Sequence, residues 1–180
     1  MDHLDHRILS ALRMYGCDPR VAGAARALSW AGEHGAVWLA AGLAGAAVDG
    51  ARRGAWLRGT ALTAGAHLVS MGVKRVVRRP RPAHIDPLVH TAGRHSFPSS
   101  HAASATAAAV AFGMLGARGR LGAHAALTAT RAALPPLATA MCLSRLIVGV
   151  HYPSDVAAGA ALGALTARAG ARWMRGGAHD

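Results

Sequence analysis

From residue 30 onward the chain alternates apolar stretches with short arginine-rich ones, and the pattern predicts membrane-length helices at 30–48, 56–77, 99–115, 121–150 and 154–173. The stretch before them differs. Ile8, Leu9, Leu12, Val21 and Leu28 make a one-sided apolar stripe with Arg7, Arg13, Arg20 and Arg26 between them, broken at Asp18-Pro19. That predicts two short amphipathic helices lying on a membrane surface. Glu33 and His34 fall near the start of the first span, at the interface or facing the bundle. His67 lies inside the second, where it reads as a helix-to-helix hydrogen bond. A basic turn at 117–120 precedes the fourth, in which Pro135-Pro136 is expected to kink or interrupt the helix. Gly159 and Gly163 in the fifth form a GxxxG pair that permits close packing, a weak signal in so glycine-rich a chain. The expected architecture is all-α: one membrane-embedded domain over 1–180, with amphipathic surface helices at 1–29 and a polytopic bundle of about five transmembrane helices at 30–175.

Composition sharpens this. A 180-residue chain that is 52% hydrophobic, 4% aromatic and formally charged at +12 is too apolar for an ordinary soluble domain. Nucleic-acid binding is the rival explanation of a pI near 11.7, but the arginines sit at the ends of apolar runs instead of forming a stripe. Membrane lipids, not nucleic acid, are therefore the expected surroundings. Cys17 and Cys142 have no metal or CxxC spacing and decide nothing about redox compartment. The first residues mix acids and histidines and do not read as a signal peptide, which leaves insertion to the internal segments. Trp30, Trp38, Trp56 and Trp173 suit interfacial belts, although Trp38 lies deep for one.

The candidate chemistry falls in three clusters. Residues 74–101 set Lys74, Arg75, Arg78, Arg79, Arg81 and Arg94 with four histidines against one acid, Asp86, and that excess of cations points to a bound anion. Lys74 is the only lysine in the chain, a compact charge with three donors suited to a phosphate oxygen. In the second cluster Ser99 can cap a helix whose N-terminus, with Ser100 and His101, favours an anion. In the third, after Ser144-Arg145, His151 precedes Asp155 by four residues, a spacing at which a carboxylate can orient an imidazole; Pro153 can start the helix. Because each span reverses direction, all three clusters are expected on one side of the membrane. An oriented histidine can attack phosphorus while a second protonates the leaving oxygen and the cations neutralise the charge of the transition state. That scheme needs no cofactor. A metal site is the competing use of His101, His151 and Asp155, which the surrounding cations oppose.

Lys74, Arg81-Pro82, then Pro98-Ser99-Ser100-His101, then Ser144-Arg145, His151 and Asp155 resemble, in order and spacing, the three-part signature of the type 2 phosphatidic acid phosphatase (PAP2) family. The resemblance implies a helical membrane phosphatase with a core shared with haloperoxidases, working through a phosphohistidine without metal. It implies His151 as nucleophile, Asp155 as its orienting acid and His101 as the acid for the leaving group. Lys74, Arg81, Ser99, Ser100 and Arg145 would hold the phosphate. Ser100 departs from the glycine usual in the family, which bears on the local donor geometry, and five spans stand where relatives commonly have six. His84, His90 and His95 read as loop-shaping or solvated residues, with His95 and Arg94 able to touch a headgroup, and Ser96 and Tyr152 as packing or capping groups.

The expected substrate is a lipid phosphate or diphosphate. An alanine- and arginine-rich, lysine-poor chain suggests a high-GC genome, where the family resemblance favours a polyprenyl-linked cell-envelope precursor such as decaprenylphosphoryl-5-phosphoribose. Undecaprenyl diphosphate, phosphatidylglycerophosphate and phosphatidic acid stay open. A membrane protein that captures lipid phosphates without turnover is the other class, distinguished by having no need of His151 and Asp155; a vanadium haloperoxidase is a third. The loops at Arg52, Arg53 and Arg58, at Arg118 and Arg120, and at Arg168, Arg172 and Arg175 are expected to stay cytoplasmic, so that the site of this inner-membrane protein faces outward.

Overall fold

In the computed structural model, which describes residues 2–91, 93–116 and 124–176, the chain is built of helices: α1 Asp2–Met14, α2 Pro19–Ala31, α3 Ala36–Val48, α4 Arg53–Val77, α5 Ser100–Gly116, α6 His124–Ile147, α7 Pro153–Ala169 and the short α8 Ala171–Met174. The basic turn with Arg118 and Arg120, and the terminal Asp180, lie outside the described residues. Asp18 caps α2, its Oδ1 accepting Arg20 N at 2.7 Å and Val21 N at 3.3 Å, with Pro19 in the first turn. The break expected at Asp18-Pro19 is there.

The α5 helix forms the centre, packed against α4, α6 and α7. Its sequence explains this. Ala102, Ala103, Ala105, Ala107, Ala108 and Ala111 are all fully buried, and small side chains let three neighbours approach at once. Against α7 the approach is closest: a Cβ on Gly159 would stand 2.3 Å from Ser99 O, and one on Gly163 2.1 Å from Ala103 O. The GxxxG pair of the sequence therefore fixes α7 on α5, and Ser99 N donates to Asp155 O at 2.9 Å at the top of that contact. Phe112, Trp56, Trp38, Met141 and Met174 fill the opposite half of the core. At that end Arg52 pairs with Asp49 at 2.7 Å and Arg58 Nε donates to Met174 O at 3.0 Å, so these arginines tie down the ends of other elements as well as flank α4.

Several expectations need correction. The apolar run over 30–48 is not one helix: α2 ends at Ala31, and His34 (φ 53°) and Gly35 (φ 75°) turn the backbone left-handed before α3 begins. The 13 residues of α3 rise only ~20 Å, short of a hydrocarbon core of ~30 Å. No helix among the described residues is long and apolar enough to cross a membrane. Pro135 and Pro136 do not interrupt α6, which continues through both. Trp56 belongs to the core, 4% exposed, with Nε1 donating to Asp49 Oδ2 at 3.0 Å; Trp30 and Trp173 are exposed. The N-terminal helices do more than rest on a surface: Leu9 of α1 is fully buried, and α2 packs along α6.

Candidate active site

A cavity of about 350 Å³ opens where α4, α5, α6, the 78–99 loop and the turn between α6 and α7 meet. Lys74, Arg81, Ser100, His101, Arg145 and His151 all line it. Residues from three distant parts of the chain thus share one wall, as alternating helix directions predict.

Each side chain is placed by local structure. Lys74, near the C-terminus of α4, donates through Nζ to Ser96 O at 2.9 Å and to Pro98 O, which leaves one of its three donors for the cavity. Arg81 is held by loop backbone, Nη1 to Val150 O and Nε to Gly93 O, both at 2.8 Å. The loop is pinned in turn: Ser96 N donates to Arg79 O at 2.8 Å, Ser96 Oγ to Pro80 O at 3.0 Å, and Leu88 N to Val148 O at 2.9 Å. Ser99 caps α5, its Oγ accepting Ala102 N at 3.4 Å. It is fully buried and does not line the cavity, whereas Ser100 in the first turn does. Ser100 adopts an ordinary helical backbone, so a serine costs nothing there where a glycine is usual; its Oγ lies 3.9 Å from Met71 Sδ. His101 Nε2 stands 3.0 Å from Ser29 O, and because a carbonyl can only accept, that nitrogen carries the hydrogen.

Arg145 is a buried cation only partly satisfied by the described residues. It is 3% exposed, and its Nε and Nη1 have no hydrogen-bond partner among the described residues. A buried guanidinium with two donors unsatisfied is costly unless an anion arrives, so the arrangement is preorganised for one. His151 sits in the α6–α7 turn, made possible by Gly149 at φ 76°, where a side chain would also meet Ile85 Cγ2 at 2.9 Å. Its imidazole is 2% exposed. Burial, with Arg145, Lys74 and Arg81 adding to it against the pull of Asp155, lowers its pKa to about 3, so the ring is neutral and able to act as a nucleophile. Asp155 is fully buried behind it, outside the cavity wall. Its Oδ2 accepts Tyr152 N at 2.8 Å and stands 3.7 Å from His151 Nδ1; its Oδ1 accepts Arg79 Nη1 at 2.9 Å. The carboxylate faces the imidazole at ion-pair distance but beyond hydrogen-bond reach.

Two residues of this region escape sequence reasoning, Asp5 and Arg79. Arg79 is one of several loop arginines, and Asp5 carries a legible signal, an acid four residues before Leu9 on the same apolar stripe. His67 differs from expectation too: its Nδ1 finds no partner among the described residues, and the ring lines the cavity near His34, with centroids 6.3 Å apart. His90, Arg94 and His95 also line it, while His84 stacks on His6 at 4.1 Å. Cations around a neutral histidine suit a phosphate-sized anion better than a divalent metal.

Comparison with known proteins agrees with this chemistry. A decaprenylphosphoryl-5-phosphoribose phosphatase from Mycolicibacterium smegmatis is 46% identical over 143 residues, 78% of this chain and 72% of the relative. The protein of that description from Mycobacterium tuberculosis is 44% identical over 149 residues, 81% and 76% of the two chains. A lipid A 1-phosphatase from Rhizobium etli is 34% identical over 118 residues, 61% and 45%. The fold resembles the crystal structure of a transmembrane PAP2-type phosphatidylglycerolphosphate phosphatase from Bacillus subtilis, with a TM-score of 0.56 at 19% identity over 96% of this chain and 77% of that one. The model of the PAP2 superfamily matches residues 55–177, which contain Lys74, Arg81, His101, Arg145 and His151 of the cavity wall, and the chain belongs to that superfamily, a family of phosphatases.

Proposed function

We propose that this protein hydrolyses a phosphate ester on a polyprenyl lipid, with decaprenylphosphoryl-5-phosphoribose as the substrate class, through a phosphohistidine at His151. The observation that carries this reading is the buried Arg145, whose Nε and Nη1 have no partner among the described residues, in one cavity with a neutral His151, Lys74 and Arg81. His151 Nε2 attacks phosphorus; the bond to the substrate oxygen breaks, and His101 delivers the proton that oxygen needs. With Nε2–H of His101 held on Ser29 O, Nδ1 takes up the proton of a monoanionic phosphate as the substrate binds, releases it to the leaving oxygen, and is reprotonated by the attacking water. Water then attacks the phosphohistidine, gives its proton to His101 and releases inorganic phosphate. Lys74, Arg81, Arg145 and the N-terminus of α5 at Ser99-Ser100 neutralise the phosphoryl oxygens. Asp155 holds the charge that develops on His151.

Polyprenyl-phosphosugar substrates are supported by the mycobacterial relatives and by the far side of the cavity, where Glu33, His34, His67 and Thr91 offer polar groups suited to hydroxyls. A multi-pass inner-membrane setting in one domain is supported by the outward faces of the bundle. Val48, Leu68, Val76 and Leu165 are 85%, 69%, 82% and 64% exposed on α3, α4 and α7, an apolar surface that lipid would cover. Polar groups in α4 such as Thr63 and Ser70 are buried inward.

The test is a panel. Purified protein is assayed by kcat/KM on decaprenylphosphoryl-5-phosphoribose, undecaprenyl diphosphate, phosphatidylglycerophosphate and phosphatidic acid in mixed micelles. The first is expected to be best; preference for either diacyl lipid would overturn the polyprenyl assignment.

A further inference from the structure

Asp155 is held by a guanidinium that is itself held by a second carboxylate from the opposite end of the chain. Arg79 Nη1 donates to Asp155 Oδ1 at 2.9 Å and to Ser154 Oγ at 2.7 Å, and Nη2 donates to Asp5 Oδ2 at 2.9 Å. Asp5, on α1, is 5% exposed and also accepts Ser154 N at 3.0 Å and the Ser154 hydroxyl. The position has a local cause. Pro153 opens α7 and has no N–H, so the first N–H that α7 presents is that of Ser154, and α1 supplies its acceptor.

An acid on the buried stripe of α1 is unfavourable unless paired. Burial works against ionisation of Asp5, yet Ser154 and Arg79 outweigh it and lower its pKa. Arg79 is shielded as well, with its guanidinium carbon 4.3 Å above the Tyr152 ring. Among the described residues two carboxylates share the Arg79 guanidinium behind His151, whereas Lys74, Arg81 and Arg145 stand on its cavity side. Arg79 bound to Asp155 alone would cancel the carboxylate that is meant to hold the imidazole proton.

We propose that Asp5 and Arg79 are positioning residues of the reaction: Arg79 fixes the Asp155 carboxylate toward His151 Nδ1, and Asp5 offsets the guanidinium charge so that the carboxylate keeps its pull on the imidazole. This rests on His151 being the nucleophile. It makes α1, which lies before the part of the chain matched by the family model, a component of the active site.

The experiment measures kcat and KM separately on a micellar prenyl monophosphate with the full chain. Asp5→Asn is expected to lower kcat roughly tenfold, the size of about one unit of imidazole basicity, with KM within about twofold. The double variant Asp5→Asn/Arg79→Gln keeps an N–H donor for Asp155 but removes the unbalanced charge. It is expected to recover roughly threefold in kcat over Asp5→Asn alone with KM unchanged, whereas relief of a merely structural strain would appear in Tm and leave the kcat of folded protein where it was. Ser154→Ala, which removes the hydroxyl shared by Asp5 and Arg79 without changing charge, guards against misfolding of the charge variants and should lower kcat about threefold at constant KM. A double variant no better than Asp5→Asn, a loss confined to KM, or unchanged kcat in Ser154→Ala overturns the inference alone. Activity that survives in His151→Ala removes the reading on which it rests.

Discussion

His151 Nδ1 and Asp155 Oδ2 face each other across 3.7 Å, and the carboxylate is kept from closing that gap by Tyr152 N at 2.8 Å and by Arg79 at 2.9 Å. The pair is aligned but not bonded, as catalytic hydrogen bonds often are before substrate binds. An imidazole that gains positive charge on attacking phosphorus will draw the carboxylate in. Asp155→Asn keeps the shape and an acceptor for Tyr152 N but removes the charge. We expect kcat to fall by at least ~100-fold, with KM changed by less than about threefold. An Asp155→Asn variant with kcat within a factor of about three of wild type would remove Asp155 from the mechanism.

Arg145 provides the opposite signature. Its Nε and Nη1 are buried without a partner among the described residues, so two donors of a buried cation stand ready for an anion. Arg145→Met is expected to abolish phosphate release yet leave stability unchanged or raise it by ~1–4 kcal/mol, because a packed apolar side chain replaces a buried ion with two unsatisfied donors. Thermal unfolding in detergent checks this. Wild type should be stabilised by inorganic phosphate or vanadate and the variant should not. A variant that is destabilised and still responds to phosphate would show that the anion binds elsewhere.

The contact that brings Ser99 to Asp155 depends on Gly163, where a Cβ would stand 2.1 Å from Ala103 O. Gly163→Ala must push α7 off α5 and is expected to cost ~1–3 kcal/mol, a fall of several degrees in Tm. Gly65→Ala, where a Cβ meets nothing within 4 Å, is the control and should be neutral or stabilising. Equal Tm values for the two variants would contradict the packing account.

These contacts mark the limit of what the sequence made legible. Lys74 to Arg81, Ser99 to His101 and Arg145 to Asp155 could be read because each is a short-range spacing with its own chemical sense, and alternating helix direction brings them together. The Asp5 and Ser154 contact spans 149 positions and depends on how α1 docks, which no local pattern encodes. The 30–48 run misled because hydropathy is blind to backbone sign: Glu33, His34 and Gly35 sit among apolar residues, yet His34 and Gly35 turn left-handed and split the run. Pro135-Pro136 does not interrupt the helix, since residues 124–134 and 137–147 on either side sustain α6 despite the lost N–H donors. Ser100 fits its position because the helix expected from Ser99 does start there, with Ser100 in its first turn.

By the loop rule the arginines at the end of the bundle away from the cavity, Arg52, Arg53 and Arg58, are expected in the cytoplasm. The cavity is then expected to open outward. Gly50 and His90 are exposed at the two ends, and single cysteines there, in a Cys17→Ser, Cys142→Ser background, can be labelled in intact cells with an impermeant thiol reagent. Position 90 should label and position 50 should not. The reverse pattern would put the site in the cytoplasm.

The central claim is that His151 carries the phosphoryl group. Purified wild-type protein and His151→Ala are each incubated with a micellar polyprenyl phosphate, phosphate release is followed, and the reaction is quenched under conditions that preserve phosphohistidine. Wild type is expected to release phosphate and to yield a phosphorylated peptide containing His151, and the variant to do neither. Turnover by His151→Ala at a rate close to that of wild type would contradict the claim.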